Sequence, residues 1–577
     1  MIPVPSDERD ILALAQDLIE KCRVSVGARS TYYRLMSTIA ETGRYDGSKS
    51  LLNMMQKHLT DTAAHIFSPV ELKFIVDFEH EYPKNIVERG RVVGNTLTRA
   101  WERTSTDMLF GQGVFESLKL GCGILKQWPE ESGSEDARKL TVHAKLVPPW
   151  SFGVYREDLC ELDAQECLCE TVTLTGPEVW QRIYHMPNAR KLHEKIMVHA
   201  RTGEAQANPL SFFHQLLSTS QLNTGLSGAL TPQPGGIVSL SGDPNYPIMG
   251  PVVAAPTVQM HELWVKDEND YTTIQVIEDQ LLLAPKFKKQ NLFIKDSQMH
   301  PYSLIQPNQT AGWFWGRSDL VDLIEPQGLL SQWCDDARRL MGLQIDKIIA
   351  FIGENGITDE KYDDFRRSGY MNLSQGASVE DLTPKFPPEL LPMIKWLIET
   401  IKILGGFPPI MQGQGDSGVR AGVHANTLLK TGSPSTRDRS LLVERQCAVA
   451  ADKTLCIKEA KEDKRYWTKA ETLEDVEETS FALTDLPDDW RVGVDSHSSS
   501  PIFADENQQM IFALRRTGDV TGEYVIDNLP IPNKEAAKIA LREREKNKAQ
   551  EMQMLLQKFP EAAEKVLAKQ LGGGGKH

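Results

Sequence analysis

A chain of 577 residues is too long for a single hydrophobic core, so roughly two to four structural units are expected. Its 40% hydrophobic and 25% charged content is ordinary for a soluble globular protein. The net charge of −15 argues against a protein that grips nucleic acid tightly, because such binding rests on Lys and Arg neutralising phosphates. No run of 18 apolar residues occurs, and Met1 to Asp7 lack the basic and apolar stretches of a signal peptide, so neither a membrane span nor a leader is expected.

In chain order, Ser6 is placed to cap a helix with Asp7 and Glu8 in its first turn, where negative charge meets the positive end of the dipole. Ile11, Leu14, Ala15, Leu18 and Ile19 form its apolar face. Helical spacing also runs over about 30–42 and 85–121, and Phe67-Ser68-Pro69 reads as a turn into a short helix. Past Gly121-Cys122-Gly123 the pattern changes. Residues 139–175 alternate in polarity and carry Pro148-Pro149, which predicts strands. In a strand Cys167 and Cys169 share one face; nothing nearby completes a four-ligand zinc site, so the eight cysteines read as reduced structural thiols of a cytosolic product. Thr175 and Pro177 mark the cap and first position of another helix. His185, His193 and His199 lack the i, i+4 spacing of a helical metal pair and read as surface or packing histidines.

Residues 200–256 are rich in Gly, Pro, Ser, Thr and Asn and predict a loop or partly ordered insertion. The runs 261–266 and 271–277 flank the polar turn Asp267-Glu268-Asn269-Asp270, the pattern of a hairpin, and a further strand is expected near 291–294. From Gln327 to Ile352 there is no proline, and Leu330, Trp333, Ala337, Leu340, Met341, Ile345, Ile348 and Ile352 recur at helical spacing behind Pro326. A polar insert follows to Phe386. Pro387-Pro388 then open a second apolar helix through Trp396, Ile401 and Leu404. Next comes a Gly/Pro loop to Gly418, and after it a helix from Arg420 that is interrupted at Thr431-Gly432-Ser433-Pro434. Ser433 as cap and Pro434 as first residue restart it toward Ala460. Trp490 to Val494 reads as a strand, 505–516 as a helix, and 533–558 as a long polar helix broken at Pro560. Nine basic against six acidic residues make 533–569 mildly basic.

Catalytic signatures are sparse. Gly413-Gln414-Gly415-Asp416-Ser417-Gly418 matches G-x-G-x-x-G, but a dinucleotide site needs a strand directly before it, and here a helix and Pro408-Pro409 precede it. There is no P-loop, no G-x-S-x-G and no H-E-x-x-H. No catalytic residue, metal ligand or cofactor site is assigned, and an enzyme is not expected. A cytosolic nucleotide-binding enzyme using this loop stands as the alternative, with a helical scaffold or adaptor that has no DNA role as a third.

The order helix, small insert, helix, Gly/Pro loop, broken helix resembles the centre of a portal protein, the head-to-tail connector of a tailed bacteriophage. Trp315-Gly316-Arg317-Ser318-Asp319-Leu320 resembles that family's lead-in to its first stem helix, and Gly406-Phe407-Pro408-Pro409 the exit from its second. The resemblance implies an α+β portal fold. Residues 1–316 form a mixed wing, 317–353 the first stem helix, 354–386 the clip and 387–404 the second stem helix. A tunnel loop spans 405–419 and a kinked tunnel helix 420–463. Wing strands return over 464–501, crown helices occupy 502–571, and 572–577 is a flexible tail set aside from the fold.

It further implies a ring of twelve at one capsid vertex of the virion, made in the host cytoplasm, through which double-stranded DNA is packaged and ejected. The implied partners are other copies of the chain, the terminase large subunit, head–tail adaptor and tail proteins, and the major capsid and scaffolding proteins. No membrane is involved. Trp333, Leu340, Ile348 and Trp396 would pack the stem. Arg366, Arg367, Asp363 and Asp364 would dock partners at the clip. Gly413, Gln414, Gly415, Asp416 and Ser417 would form the tunnel loop, and Arg420, Lys430, Arg437 and Arg439 would face DNA. The segment 317–404 carries ten basic and fifteen acidic residues, which suits a conduit that must not hold its cargo. Between Gly405 and Arg445 five basic residues face three acidic ones.

Overall fold

The computed structural model describes residues 2–5, 7–69, 72–132, 139–200, 256–267, 270–278, 280–283, 300–345, 348–352, 359–368, 375–376, 378–406, 434–461, 466–467, 480–487, 489–494 and 510–517, with isolated positions between 520 and 544. The expected insertion 201–255, the strand near 291–294, the tunnel loop beyond Gly406 and nearly all of 533–571 lie outside them.

The chain is mixed helix and strand, α+β, as expected. Helix α1 (Glu8–Cys22) is capped by Asp7, whose carboxylate accepts from the Arg9 N–H, one residue later than Ser6. Helix α2 (Val26–Thr42) follows and ends at Gly43. Helix α3 (Met54–Ile66) then precedes the Phe67-Ser68-Pro69 turn, and strand β1 (Phe74–Phe78) follows it. The expectation of a helix after that turn is corrected: Asn53, with its side chain accepting from Met55 and Gln56 N–H, starts the helix earlier. The long helix expected over 85–121 is two, α4 (Lys84–Thr104) and α5 (Thr106–Leu120), broken at Ser105 in the left-handed region at φ 53°.

Two antiparallel sheets follow. Strands β2 (Gly123–Ser132) and β3 (Lys139–Val147) pair, and β9 (Tyr302–Ile305) joins β2 on its other edge. Strands β4 (Phe152–Val154), β5 (Cys167–Thr175), β6 (Thr257–Asp267), β7 (Asp270–Ile277) and β8 (Gln280–Leu283) lie in that order in a five-stranded sheet. The β6–β7 hairpin is as expected, with Asp267 opposite Asp270. Between β5 and β6 come α6 (Gly176–Ile183), where the Glu178 carboxylate accepts from the Thr175 N–H and hydroxyl, and α7 (Ala189–Met197).

Strand alternation decides what each face of the large sheet meets. Cys167, Cys169, Leu263 and Ile274 bury one face against Ile11, Ala15, Leu18 and Cys22 of α1, so the two cysteines do share a face. The opposite face carries Leu168 and Trp264 at one end and Leu174 and Met260 at the other, in two separate apolar clusters. Between these clusters runs a polar rung, Glu170 beside Glu262 beside Gln275 in the cross-strand register.

The small sheet presents the complementary rung, Lys145 beside Lys126 beside Tyr302. Lys126 Nζ donates at 2.6 Å to both Glu170 Oε2 and Glu262 Oε1, and Lys145 Nζ donates at 2.7 Å to Glu170 Oε1. Burial works against the ionised Glu170, but Lys126 and Lys145 outweigh it and hold its carboxyl below the usual range. Burial likewise works against the Lys126 ammonium, and Glu262 and Glu170 outweigh it.

The central segment is helix α8 (Ile324–Ile345), strand β10 (Ile349–Ile352), helix α9 (Asp359–Ser368), strand β11 (Ser378–Asp381) and helix α10 (Leu390–Leu404). Strands β10 and β11 pair antiparallel, Ile349 opposite Asp381. This corrects the first stem helix: it ends at Ile345 rather than near 353. Isoleucines that fit an apolar helical stripe also fit a strand, and β-branching plus an available partner strand decide for the latter.

Helix α11 (Pro434–Lys461) starts at the expected proline and runs through the main core, burying Val443, Cys447, Ala450, Ala451 and Leu455. Short strands β12 (Tyr466–Trp467) and β13 (Ser480–Phe481) pair, and β14 (Trp490–Val494) returns to pair with β1, so the last described strand closes on the first. Residues 510–517 are helical, overlapping the helix expected over 505–516.

Removing Lys126 leaves two carboxylates buried without their shared cation. Lys126→Met is expected to destabilise the folded chain by about 3–5 kcal/mol in denaturant unfolding at pH 7. Restoring neutrality with Glu262→Gln in the same chain should recover part of the loss. A single variant as stable as the parent would show that the ladder contributes nothing.

Candidate assembly surface of the central helices

The root of the central segment is a polar junction. Gly316 adopts φ +64°, and a Cβ there would lie 2.6 Å from the carbonyl oxygen of Gly121, which itself sits at φ +105°. The two glycines let the lead-in phrase pass directly against the end of α5. Asp319 N donates to Leu118 O at 2.8 Å, fixing the turn that follows. The Asp319 side chain, only 8% exposed, takes three partners: His58 Nε2 at 2.6 Å, Arg439 Nη1 at 2.9 Å and Asn308 Nδ2 at 3.4 Å. Burial works against its charge, but the His58 hydrogen bond and Arg439 outweigh it and hold the carboxyl below the usual range. A Cβ on Gly405 would strike the His58 ring at 2.7 Å. One carboxylate therefore ties α3, the entry to α8 and the start of α11, and the exit of α10 packs against the same His58 ring.

The first half of α8 is docked on the helical core. Gln327, Leu330, Ser331, Cys334 and Ala337 are buried at helical spacing. Gln327 Oε1 accepts from Met54 N at 3.1 Å and its Nε2 donates to Leu52 O at 2.8 Å, while the Ser331 and Ser50 hydroxyls lie 2.8 Å apart. Arg44 pairs with Asp335. Helix α10 packs Ile394, Leu397 and Ile401 into the same core.

The remaining faces of the two helices carry large exposed apolar side chains among polar ones such as Gln332, Arg338, Arg339, Lys395 and Glu399. Ile345 is 81%, Ile403 66% and Trp396 59% exposed. Leu391, Met393 and Leu404 are exposed on α10, and Leu329 and Met341 on α8. Ile352, Val379 and Leu382 continue this surface through the strand pair. Twelve large apolar residues exposed among those described lie between Leu329 and Leu404. Single exposed apolar residues are ordinary, but this many within one segment make it a candidate interaction surface.

The residues proposed from sequence divide accordingly. Trp396 and Ile348 lie on the uncovered surface, whereas Trp333 and Leu340 are half-buried and Trp333 packs against the chain's own core. Asp363, Asp364 and Arg367 are exposed on α9, whose second arginine, Arg366, has a side chain outside the described set. Arg437 is exposed near the start of α11. Arg439 is not a free channel cation: it is engaged with Asp319 of its own chain. Gly413, Gln414, Gly415, Asp416, Ser417, Arg420 and Lys430 lie outside the described residues. Among the described residues, the elements on either side of that loop are the helices α10 and α11. Among the described residues no cluster of His, Cys, Asp and Glu suits a metal ion. No helix among them is long and apolar enough to cross a membrane.

Asp319→Asn keeps the shape of the junction and removes its charge. The carboxyl is held low in the folded chain, so its contribution is complete above the ordinary carboxylate range and is lost as pH falls through the folded value. We expect the variant to lose about 2–3 kcal/mol at pH 7, with the gap to the parent closing only below about pH 4. Denaturant midpoints across that range measure it, and equal midpoints at pH 7 would remove the junction from the account.

No protein-family model matches the chain and no curated protein matches it.

Proposed function

We propose that the chain is the portal subunit of a tailed bacteriophage, a structural component without enzymatic activity that assembles into a ring of twelve. The observation that carries this reading is the apolar surface of α8 and α10 left uncovered by the chain itself. Laterally repeated copies would cover it, each using one side of its helical pair as donor and the other as acceptor surface, the arrangement that closes a ring. Burying each large side chain is worth about 1.5–3 kcal/mol, enough across several residues to offset association costs.

The order of elements supports the same reading. A helical pair carrying a small, charged strand-and-helix tip matches stem and clip. A glycine-rich loop and a buried helix follow, as tunnel loop and tunnel helix would. Double-stranded DNA would pass along the ring axis, past an acidic central segment that repels rather than holds it. The energy for packaging would come from a separate terminase ATPase docked at the clip, with adaptor and tail proteins taking that position afterwards. Capsid and scaffolding proteins would surround the ring at one vertex of the virion.

Trp396→Asp and Ile345→Asp are the assembly variants of choice, because Trp333 supports the chain's own core. We expect both to stay folded, with unchanged unfolding midpoints. Their mass should fall from about twelve times the 64.7 kDa chain to that of a monomer. Native mass spectrometry reads the result, and intact rings from both variants would overturn the assignment. At the tip, Arg366→Glu with Arg367→Glu is expected to leave rings intact while slowing terminase or adaptor docking, most visibly at low salt. Unchanged docking rates across salt would exclude α9 as the contact.

A further inference from the structure

Beyond assembly, the two sheets enclose a cleft of about 330 Å³ at the edge of the Lys126 ladder. We propose that this cleft binds a small planar anion, a carboxylate or phosphate group attached to a flat ring. The proposal needs a folded chain only and does not depend on the ring.

The cleft is built from one end of the ladder outward. Lys126 forms part of its floor and gives two of its donors to Glu170 and Glu262. Lys145 is engaged on one side only: its ammonium has three donors, one of which goes to Glu170, and its side chain is 39% exposed. Arg182 reaches the cleft from α6 and makes no ion pair among the described residues. Counting Glu170 behind the floor, three cations meet two carboxylates, a local positive excess in a chain of net charge −15. Lys145 and Arg182 therefore offer unfilled donors to an anion at the mouth.

Two further features specify the rest of the ligand. Thr273 lines the cleft, is 6% exposed and has a hydroxyl without a hydrogen-bond partner. A buried hydroxyl without a partner is costly, and a ligand atom would satisfy it. Trp128 lies on the same strand face as Lys126, stacked on His143 at 6.0 Å and 27°, and forms an aromatic wall. Flat apolar bodies pack on such a wall, while charge-assisted bonds to Lys145 and Arg182 would hold the anionic group.

Calorimetric titration of the full chain with benzoate, phenyl phosphate and inorganic phosphate tests this. We expect one or both ring-bearing anions to bind at least tenfold more tightly than inorganic phosphate. Which of the two does so distinguishes a carboxylate site from a phosphate site. Arg182→Ala, at an exposed helical position, should weaken that binding about tenfold, and Trp128→Ala should abolish the preference over inorganic phosphate. Thr273→Val should weaken it several-fold with no loss of folding stability. No binding of either ring-bearing anion, equal binding of inorganic phosphate, or binding unchanged by Arg182→Ala would each overturn the proposal.

Discussion

A single buried carboxylate fixes the root from which the central helices project. Asp319 accepts from His58 and Arg439, and the backbone around it is locked to the end of α5 by two left-handed glycines. Four segments far apart in sequence meet there. With the root held, α8 and α10 have a defined direction, and the surface they carry away from the core is presented rather than folded back. That surface is the constraint behind the functional reading: large apolar side chains of the pair stand uncovered by their own chain.

The remainder of the described structure is organised around its own core. One large cluster gathers α2 to α5, β1 and α11 with the first half of α8 and the inner face of α10. Closure of β14 on β1 ties the end of the described core to its beginning. The two sheets face each other across a charged ladder in which paired lysines meet paired glutamates. A hydrophobic isostere would fill such a space at less desolvation cost. The ladder instead fixes which rung faces which, and it leaves spare donors where the cleft opens.

Much of the element order was legible in the sequence because it rests on local signals. Pro434 opened its helix where expected, Thr175 and Glu178 capped theirs, and the β6–β7 turn lay at the polar tetrad. The end of α8 was not legible, because Ile345 to Ile352 satisfies helical and strand spacing alike and the partner strand β11 decides. Ser105 gave no warning of a break, since a lone left-handed serine between two threonines carries no glycine or proline signal.

The site residues divided for a related reason. Exposed apolar positions such as Trp396 follow from helical periodicity. Pairings across more than a hundred residues do not, and the Arg439–Asp319 pair is one of these. The ladder left only a weak trace, charges at Lys126 and Glu262 next to apolar strand residues. His58, central to the junction, is one histidine on an ordinary amphipathic helix and gave no signal at all.

What the account asks of the molecule is that identical copies cover the apolar flanks of α8 and α10 and leave an axial opening. Projection imaging of the purified full-length particle tests that most directly. The account predicts closed rings, about twelvefold in end view, with the helical pairs around a central channel. A population of compact monomers or dimers without an axial opening would contradict it.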